Sequence, residues 1–287
     1  MPPKTSRYLT NLLKLLQLDQ LDRDMFLGDP GDGSGRLFGG LVAAQAVVAA
    51  YGTVDEGAIH SLHSYFLRPG RHDAPIRFVV DRIRDGRTFT TRDVVAYQAG
   101  EAIFNVSCSF AKPEKGVSHQ EPMPDVPAPD GLPAWDRVRP DRTEEERRWH
   151  RTRPIDVRSC DPDTKWRDEP PHRRVWIRPR GVLPDDQVLH AAVMAYASDS
   201  GFLSTAHLAL RIEGRWESSA SLDHTIWFHH PPHFDDWLLF TSYSPIAHAA
   251  RVLIHGQMHR RDGTQVASIA QEGLIRTPRK PKRRKSK

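Results

Sequence analysis

The chain has 287 residues and only two cysteines, Cys108 and Cys160. Two thiols cannot build a disulfide framework, and a reducing compartment is the simpler setting, so a cytoplasmic location is expected. Long apolar runs are also missing, and none approaches the roughly 18 residues that a membrane span needs. The opening stretch MPPKTSRYLTNLLKLL has no long apolar segment followed by a small-residue cleavage site, which predicts no secretory signal. No G-x-S-x-G is present, so a serine nucleophile on a strained elbow is excluded. GDPGDGSG (28–35) lacks the lysine of a P-loop and the G-x-G-x-x-G spacing, and its Asp29 and Asp32 would repel phosphate. It reads as a loop.

Acidic residues are absent from the last stretch, RTPRKPKRRKSK (276–287). Subtracting its eight basic residues from the net charge of +5 leaves −3, so the basicity is local and the body is near neutral. Such a tail reads as a disordered, solvating terminus. Any contact with nucleic acid or an anionic surface would run through it. The final residues are Ser-Lys and not Ser-Lys-Leu, so no peroxisomal address is expected.

What is there is the composition of a soluble globular protein: 38 % hydrophobic and 27 % charged, with length enough for a sizeable core. TNLLKLLQL (10–18) has leucine at helical spacing behind a threonine suited to cap it. LFGGLVAAQAVVAAYG (37–52) is apolar nearly all round and ends at glycine, which predicts a buried helix. Four strands are expected at 60–69, 76–83, 87–98 and 101–112, with hairpin turns at Asp85-Gly86 and Ala99-Gly100.

Residues 112–154 are rich in proline and charge and read as a linker carrying one short helix, RTEEERRWHR (142–151). RRVWIRPR and a second helical stretch, VLHAAVMAYASDS (188–200), come next. Strands follow again: SASLDHTIWFHH, WLLFTSYS, IAHAARVLIHGQMHR and TQVASIAQEGLIR, the last pair joined by a turn at Arg261-Asp262-Gly263.

Both halves thus read as a helix and then four strands. HSLHSYFLRP (60–69) lies over SLDHTIWFHH (221–230), with His63 on His224, and GEAIFNVSCSF (100–110) over GTQVASIAQEG (263–273). The near-constant offset argues for internal duplication. The architecture inferred is α+β, with an antiparallel sheet wrapping a long apolar helix, made twice.

Duplication allows a comparison inside one chain, because positions polar in one copy alone are candidates for chemistry. Ser221 lies over His60 and Gln271 over Cys108; the first helix has no carboxylate, whereas the second has Asp199. Asp199 continues the apolar stripe of Leu189, Ala192, Val193 and Tyr196, where an unpaired carboxylate is costly. It is equally readable as a solvated helix end. Gln271 is readable as a satisfied sheet amide, and a serine at 221 alone carries little information.

The segments LLKLLQL, RLFGGLVAAQAVVAA, IHSLHSYFLRPG, YASDSGFL, SLDHTIWFHHP and QEGLIR, in this order, resemble the acyl-CoA thioesterase II (TesB-like) family. The resemblance covers about residues 12–276, is weakest in the linker and is absent from the tail. It implies a double hotdog fold: a first hotdog domain at 1–112, the linker at 113–154, a second hotdog domain at 155–276 carrying the catalytic residues, and the tail at 277–287. It also implies hydrolysis of fatty acyl-CoA to free acid and CoA, by water held between Asp199, Ser221 and Gln271. No metal or organic cofactor is implied, and a homo-oligomer is. Asp223, His224 and His63 are expected to hold structure.

Other readings are a hotdog hydratase or dehydratase, whose D-x-N-P-x-H pattern is missing, and a non-catalytic acyl-CoA binder. A metal site at HHPPH (His229, His230, His233) is disfavoured because neighbouring strand residues point to opposite faces.

Overall fold

The computed structural model describes residues 5–134, 151–160, 172–210 and 218–276. The expected short helix at 142–151 lies outside these residues except for its last position, as does the tail beyond Arg276.

The first half holds α1 (Arg7–Leu15), β1 (Asp19–Asp22), β2 (Met25–Gly28), α2 (Gly39–Tyr51), β3 (Ala58–Phe66), β4 (Ile76–Asp85), β5 (Phe89–Gln98) and β6 (Glu101–Ala111). The second holds β7 (Ile155–Ser159), β8 (His172–Pro179), α3 (Gln187–Asp199), α4 (Leu203–Leu210), β9 (Ser218–Ser221), β10 (Asp223–Phe228), β11 (Leu238–His248), β12 (Arg251–Arg260) and β13 (Gln265–Arg276).

A helix that is apolar all round must be covered on every side. α2 and α3 satisfy this by packing on one another beneath one continuous antiparallel sheet. Their alanines (Ala43, Ala46 and Ala50 in α2; Ala191, Ala192 and Ala195 in α3) leave room for close approach and are buried. The strand order is β1-β2-β4-β5-β6-β3-β10-β13-β12-β11-β8-β7, with β9 also paired to β13. From β3 outward, β6, β5, β4 and β2 are matched from β10 outward by β13, β12, β11 and β8. The two copies therefore meet at β3 and β10, the strands that align in the repeat. Their antiparallel register sets Thr225 opposite His63 and His224 opposite Ser64. The expected α+β architecture, an antiparallel sheet around a long helix made twice, is what the chain adopts.

Several local expectations change. α1 is capped by Ser6, whose Oγ accepts from the Leu9 amide at 3.2 Å, and not by Thr10, which lies inside the helix. The β1–β2 hairpin, whose strands are only four residues each, claims Gly28 from the loop read at 28–35. IAHAARVLIHGQMHR is not one strand, because the chain reverses at Ala249-Ala250, both at positive φ (49° and 63°). Alanine gives no turn signal there, but the repeat offset would have placed it opposite the β4–β5 turn. The part of the linker described here is ordered: Met123, Val126 and Leu132 pack on Cys160, Trp176, Trp237 and Leu239 against the second half. Arg158 donates to the Pro129 and Leu132 carbonyls and holds that segment in place.

Among the described residues, no helix is long and apolar enough to cross a membrane.

Candidate active site

SASLDHTIWFHH does not run as one strand. Ser221 lies opposite Gly273 and Thr225 opposite Ala270, so four steps on one strand face three on the other. The extra residue is a β-bulge at Leu222. Strict alternation would send Ser221 and His224 to opposite faces. The bulge turns Ser221 inward, to the face that carries His224. Asp223 pins the bulge, its Oδ1 accepting from the Glu272 amide at 2.5 Å. Burial raises the Asp223 pKa despite that bond. The bond ties Asp223 to the backbone of the neighbouring strand.

Asp199 is the last residue of α3, and it is also buried, at 9 % exposure. The helix does end there, but the end is not solvated: it points into the protein, and the buried-carboxylate reading is the one that holds. It faces the start of α2. A side-chain carbon added at Gly39 would stand 2.5 Å from the Phe66 ring and 3.2 Å from Asp199 Oδ2; one at Gly40 would stand 2.8 Å from the Tyr196 carbonyl. Glycine is needed at both positions for the helix ends to meet. Phe38, the N-cap of α2, offers no side-chain hydrogen bond to the helix. The partial positive charge of that N-terminus faces the Asp199 carboxylate instead, offsetting the unfavourable C-terminus of α3 on which the carboxylate sits.

The three sequence candidates come together. Ser221 Oγ donates to Asp199 Oδ1 at 3.4 Å, and Gln271 Nε2 donates to Ser221 Oγ at 2.8 Å. Gln271 is fully buried, and its Oε1 lies 2.6 Å from His224 Nδ1. His224 Nε2 lies 2.8 Å from Ser198 Oγ. Asp199 and Ser221 line a pocket of about 570 Å³ between the two halves. Its wall is apolar at Val42, Phe66, Ile103, Phe104 and Leu203, with Arg36, Arg68 and Arg153 also on the lining. Arg153 stacks on Phe38, its guanidinium carbon 4.6 Å from the ring centre, and donates to the Tyr196 hydroxyl at 3.3 Å.

The corresponding place in the first half is built differently. α2 ends at Tyr51 where α3 ends at Asp199, and the Tyr51 hydroxyl accepts from the Ile59 amide at 2.8 Å. Burial pushes the Tyr51 phenol and the Cys108 thiol each up to about 12. His60 bonds Ser109 on the outer face of the sheet. Asp186 caps α3 with its own side chain, accepting from the Val188 amide at 2.8 Å, so that helix end is already satisfied.

His63 departs from expectation. It is exposed and makes an edge contact with Trp227, while His224 alone joins a buried polar chain. The HHPPH histidines do not converge: His229 bonds Ser268 and His233 pairs with Asp235 at 3.0 Å. Among the described residues, no group of three or more His, Cys, Asp or Glu is placed to hold a metal ion. Sequence reasoning missed Gly39, Gly40 and Ser198; the Gly-Gly pair opening an alanine-rich helix was the available signal for the first two.

Residues 158–274 match the family model described as acyl-CoA thioesterase, and residues 29–111 that of the acyl-CoA thioesterase N-terminal domain. The chain is 37 % identical to acyl-coenzyme A thioesterase 8 of Mus musculus, over 91 % of this chain and 88 % of the relative.

The chain belongs to the acyl-CoA thioesterase family.

Within that family, it is 36 % identical to acyl-CoA thioesterase 2 of Haemophilus influenzae, over 94 % of this chain and 99 % of the relative. The crystal structure of the acyl-CoA thioesterase II TesB2 from Mycobacterium marinum superposes with a TM-score of 0.79 at 38 % identity, covering 93 % of this chain and 98 % of that one. The thioesterase fold here is the double hotdog.

Burial lowers the pKa of His224 and of His190, whose Nδ1 accepts from the Phe234 amide at 2.8 Å. The unfolded chain therefore binds protons at these sites before the folded chain does. Stability is full above the ordinary histidine value of 6.5 and is lost as pH falls below it. The urea midpoint should drop between pH 7.5 and pH 5.5, and the drop should shrink in His190→Gln. A midpoint flat across that range would mean these rings are not held neutral.

Proposed function

We propose that this protein hydrolyses fatty acyl-CoA thioesters to the free acid and CoA, at one site per chain formed by Asp199, Ser221 and Gln271. The observation that carries this reading is the hydrogen-bonded chain Gln271–Ser221–Asp199, with Ser221 and Asp199 facing an apolar-walled pocket. A water held by Ser221 and Gln271 attacks the thioester carbonyl carbon, and Asp199 takes its proton as general base. The carbonyl oxygen gains the negative charge. Backbone N–H groups at the uncapped start of α2, where Gly39 lines the pocket, are the donors suited to it. As the tetrahedral intermediate collapses, the carbon–sulfur bond breaks. The proton on Asp199 passes to the departing thiolate, and the base is restored.

The apolar wall suits an acyl chain, and the guanidinium groups of Arg36 and Arg68 suit the phosphates of CoA. The working unit we propose is a pair of hotdog domains, 1–112 and 155–276, bridged by 113–154. The basic residues of 277–287 take no part in hydrolysis. A thiol-release assay across acetyl-, octanoyl- and palmitoyl-CoA tests the proposal. CoA should be released stoichiometrically with free acid, and EDTA should leave the rate unchanged. Acyl-CoA binding without thiol release would sink it in favour of a non-catalytic binder, and a metal-restorable loss would implicate an unforeseen ion.

A further inference from the structure

His224 lies outside the trio of Asp199, Ser221 and Gln271, yet it is fully buried and both ring nitrogens are engaged. Its Nδ1 lies 2.6 Å from Gln271 Oε1, and its Nε2 lies 2.8 Å from Ser198 Oγ. Ser198 precedes Asp199 in the chain, so the polar groups close a loop: Asp199, Ser198, His224, Gln271, Ser221 and back to Asp199.

The loop has two possible proton orders. A carbonyl oxygen only accepts. With Gln271 Oε1 toward His224, Nδ1 must carry the hydrogen, and Gln271 Nε2 then donates to Ser221. The single hydroxyl hydrogen of Ser221 is left for Asp199 or for a water beside it. With the amide turned over, Gln271 donates to a bare Nδ1 and its carbonyl faces Ser221. The serine hydrogen is then spent on Gln271, and lone pairs of Ser221 face the Asp199 carboxylate. Only the first order leaves the amide a donor toward the pocket side of the site.

We propose that His224 is the positioning residue of this site: as the Nδ1–H tautomer it fixes the Gln271 amide with its nitrogen toward Ser221, and so sets the direction of every hydrogen bond from Gln271 to Asp199. This deepens the proposed hydrolysis and rests on it. The tautomer is set from the Gln271 side, because Oε1 only accepts; Nε2 is then left to accept from the Ser198 hydroxyl. The Phe202 ring stands edge-on at 6.1 Å and offers no competing acceptor. Burial keeps the ring neutral, lowering its pKa against the raising influence of Asp199, Gln271 and Asp223. The Ser198 hydroxyl also lies 2.9 Å from the Ala195 carbonyl, so its one hydrogen is shared between that oxygen and Nε2. His63, at the repeat-equivalent position, is exposed and has no such loop, which ties the arrangement to the half that carries the site.

The test is a set of variants read by kcat and KM separately. Asn places an amide nitrogen about where Nδ1 sits, whereas Leu removes the donor and keeps the bulk. His224→Leu should lower kcat by about 10²-fold, the scale of a misplaced reacting group, with KM little changed. His224→Asn should recover most of that loss. In a Gln271→Ala background, His224→Leu should add almost nothing, since its effect runs through that amide. Losses that multiply in the double variant, or an Asn variant as slow as Leu with both folded, would overturn the assignment. If the Leu variant does not fold, the Asn variant and the imidazole ¹⁵N spectrum of the wild-type protein decide. An Nδ1-bound proton supports the proposal, and an Nε2-bound proton on a neutral ring overturns it. Full activity in Gln271→Ala and Asp199→Asn would be a different failure, that of the hydrolytic trio itself.

Discussion

Asp199→Asn should lower kcat by about 10²–10⁴-fold, the usual worth of a positioned general base, or about 3–5 kcal/mol of barrier. Asn keeps the size of the side chain and still accepts from Ser221, but it cannot take a proton from water. Binding of a non-hydrolysable acyl-CoA analogue should stay near wild type, because the pocket wall is untouched. Stability should also stay level. The carboxylate sits between the favourable start of α2 and the unfavourable end of α3, so removing its charge loses one interaction and relieves the other. Steady-state kinetics, calorimetric binding and a urea titration on one preparation separate these outcomes. Wild-type turnover of acetyl-, octanoyl- and palmitoyl-CoA would reduce Asp199 to a buried helix terminus, and the proposed mechanism would lose its base.

Ser221→Ala and Gln271→Ala should each reduce turnover strongly with the fold retained, whereas His60→Ala and Cys108→Ser should leave it nearly unchanged. The repeat places these residues at matching positions, but the structure places them in different settings. Ser221 and Gln271 are joined at 2.8 Å beside a carboxylate. His60 turns to the outer face toward Ser109, and Cys108 is buried with no carboxylate at the end of α2. The Gln271 loss should exceed the Ser221 loss, because removing the amide also strands the His224 Nδ1 proton in the interior. The assay is kcat for all four variants, with circular dichroism to confirm folding. Equal losses in the two halves would mean two working sites and a mistaken alignment.

Much of this molecule was legible because its signals are periodic or repeated. The buried helices announced themselves by apolar residues on every face, and the strands by alternation bounded by Asp85-Gly86, Ala99-Gly100 and Asp262-Gly263. What failed lacked such a signal. Ala249-Ala250 turns the chain without glycine or asparagine. Asp19–Asp22 and Met25–Gly28 are strands of only four residues each. Ser6 was overlooked as a cap because Thr10, nearer the leucines, offered the same chemistry.

The amino-acid sequence by itself determined the duplication, the α+β class and three candidate residues, Asp199, Ser221 and Gln271, that differ in chemistry from their counterparts in the first copy. Hydrophobic periodicity and internal repetition are written along one dimension and need no partner to be read. Tertiary structure alone decided that those three residues touch. Asp199 became buried only because two helix ends meet over Gly39 and Gly40. Ser221 faces inward only because one residue bulges at Leu222, which alternation on an unbroken strand would not show. Gln271 faces inward by the alternation of β13, but its contact with His224, and that of His224 with Ser198, come from sheet register and helix packing. Contacts between residues 22 to 50 positions apart are set by how surfaces close on one another, and no local pattern specifies them.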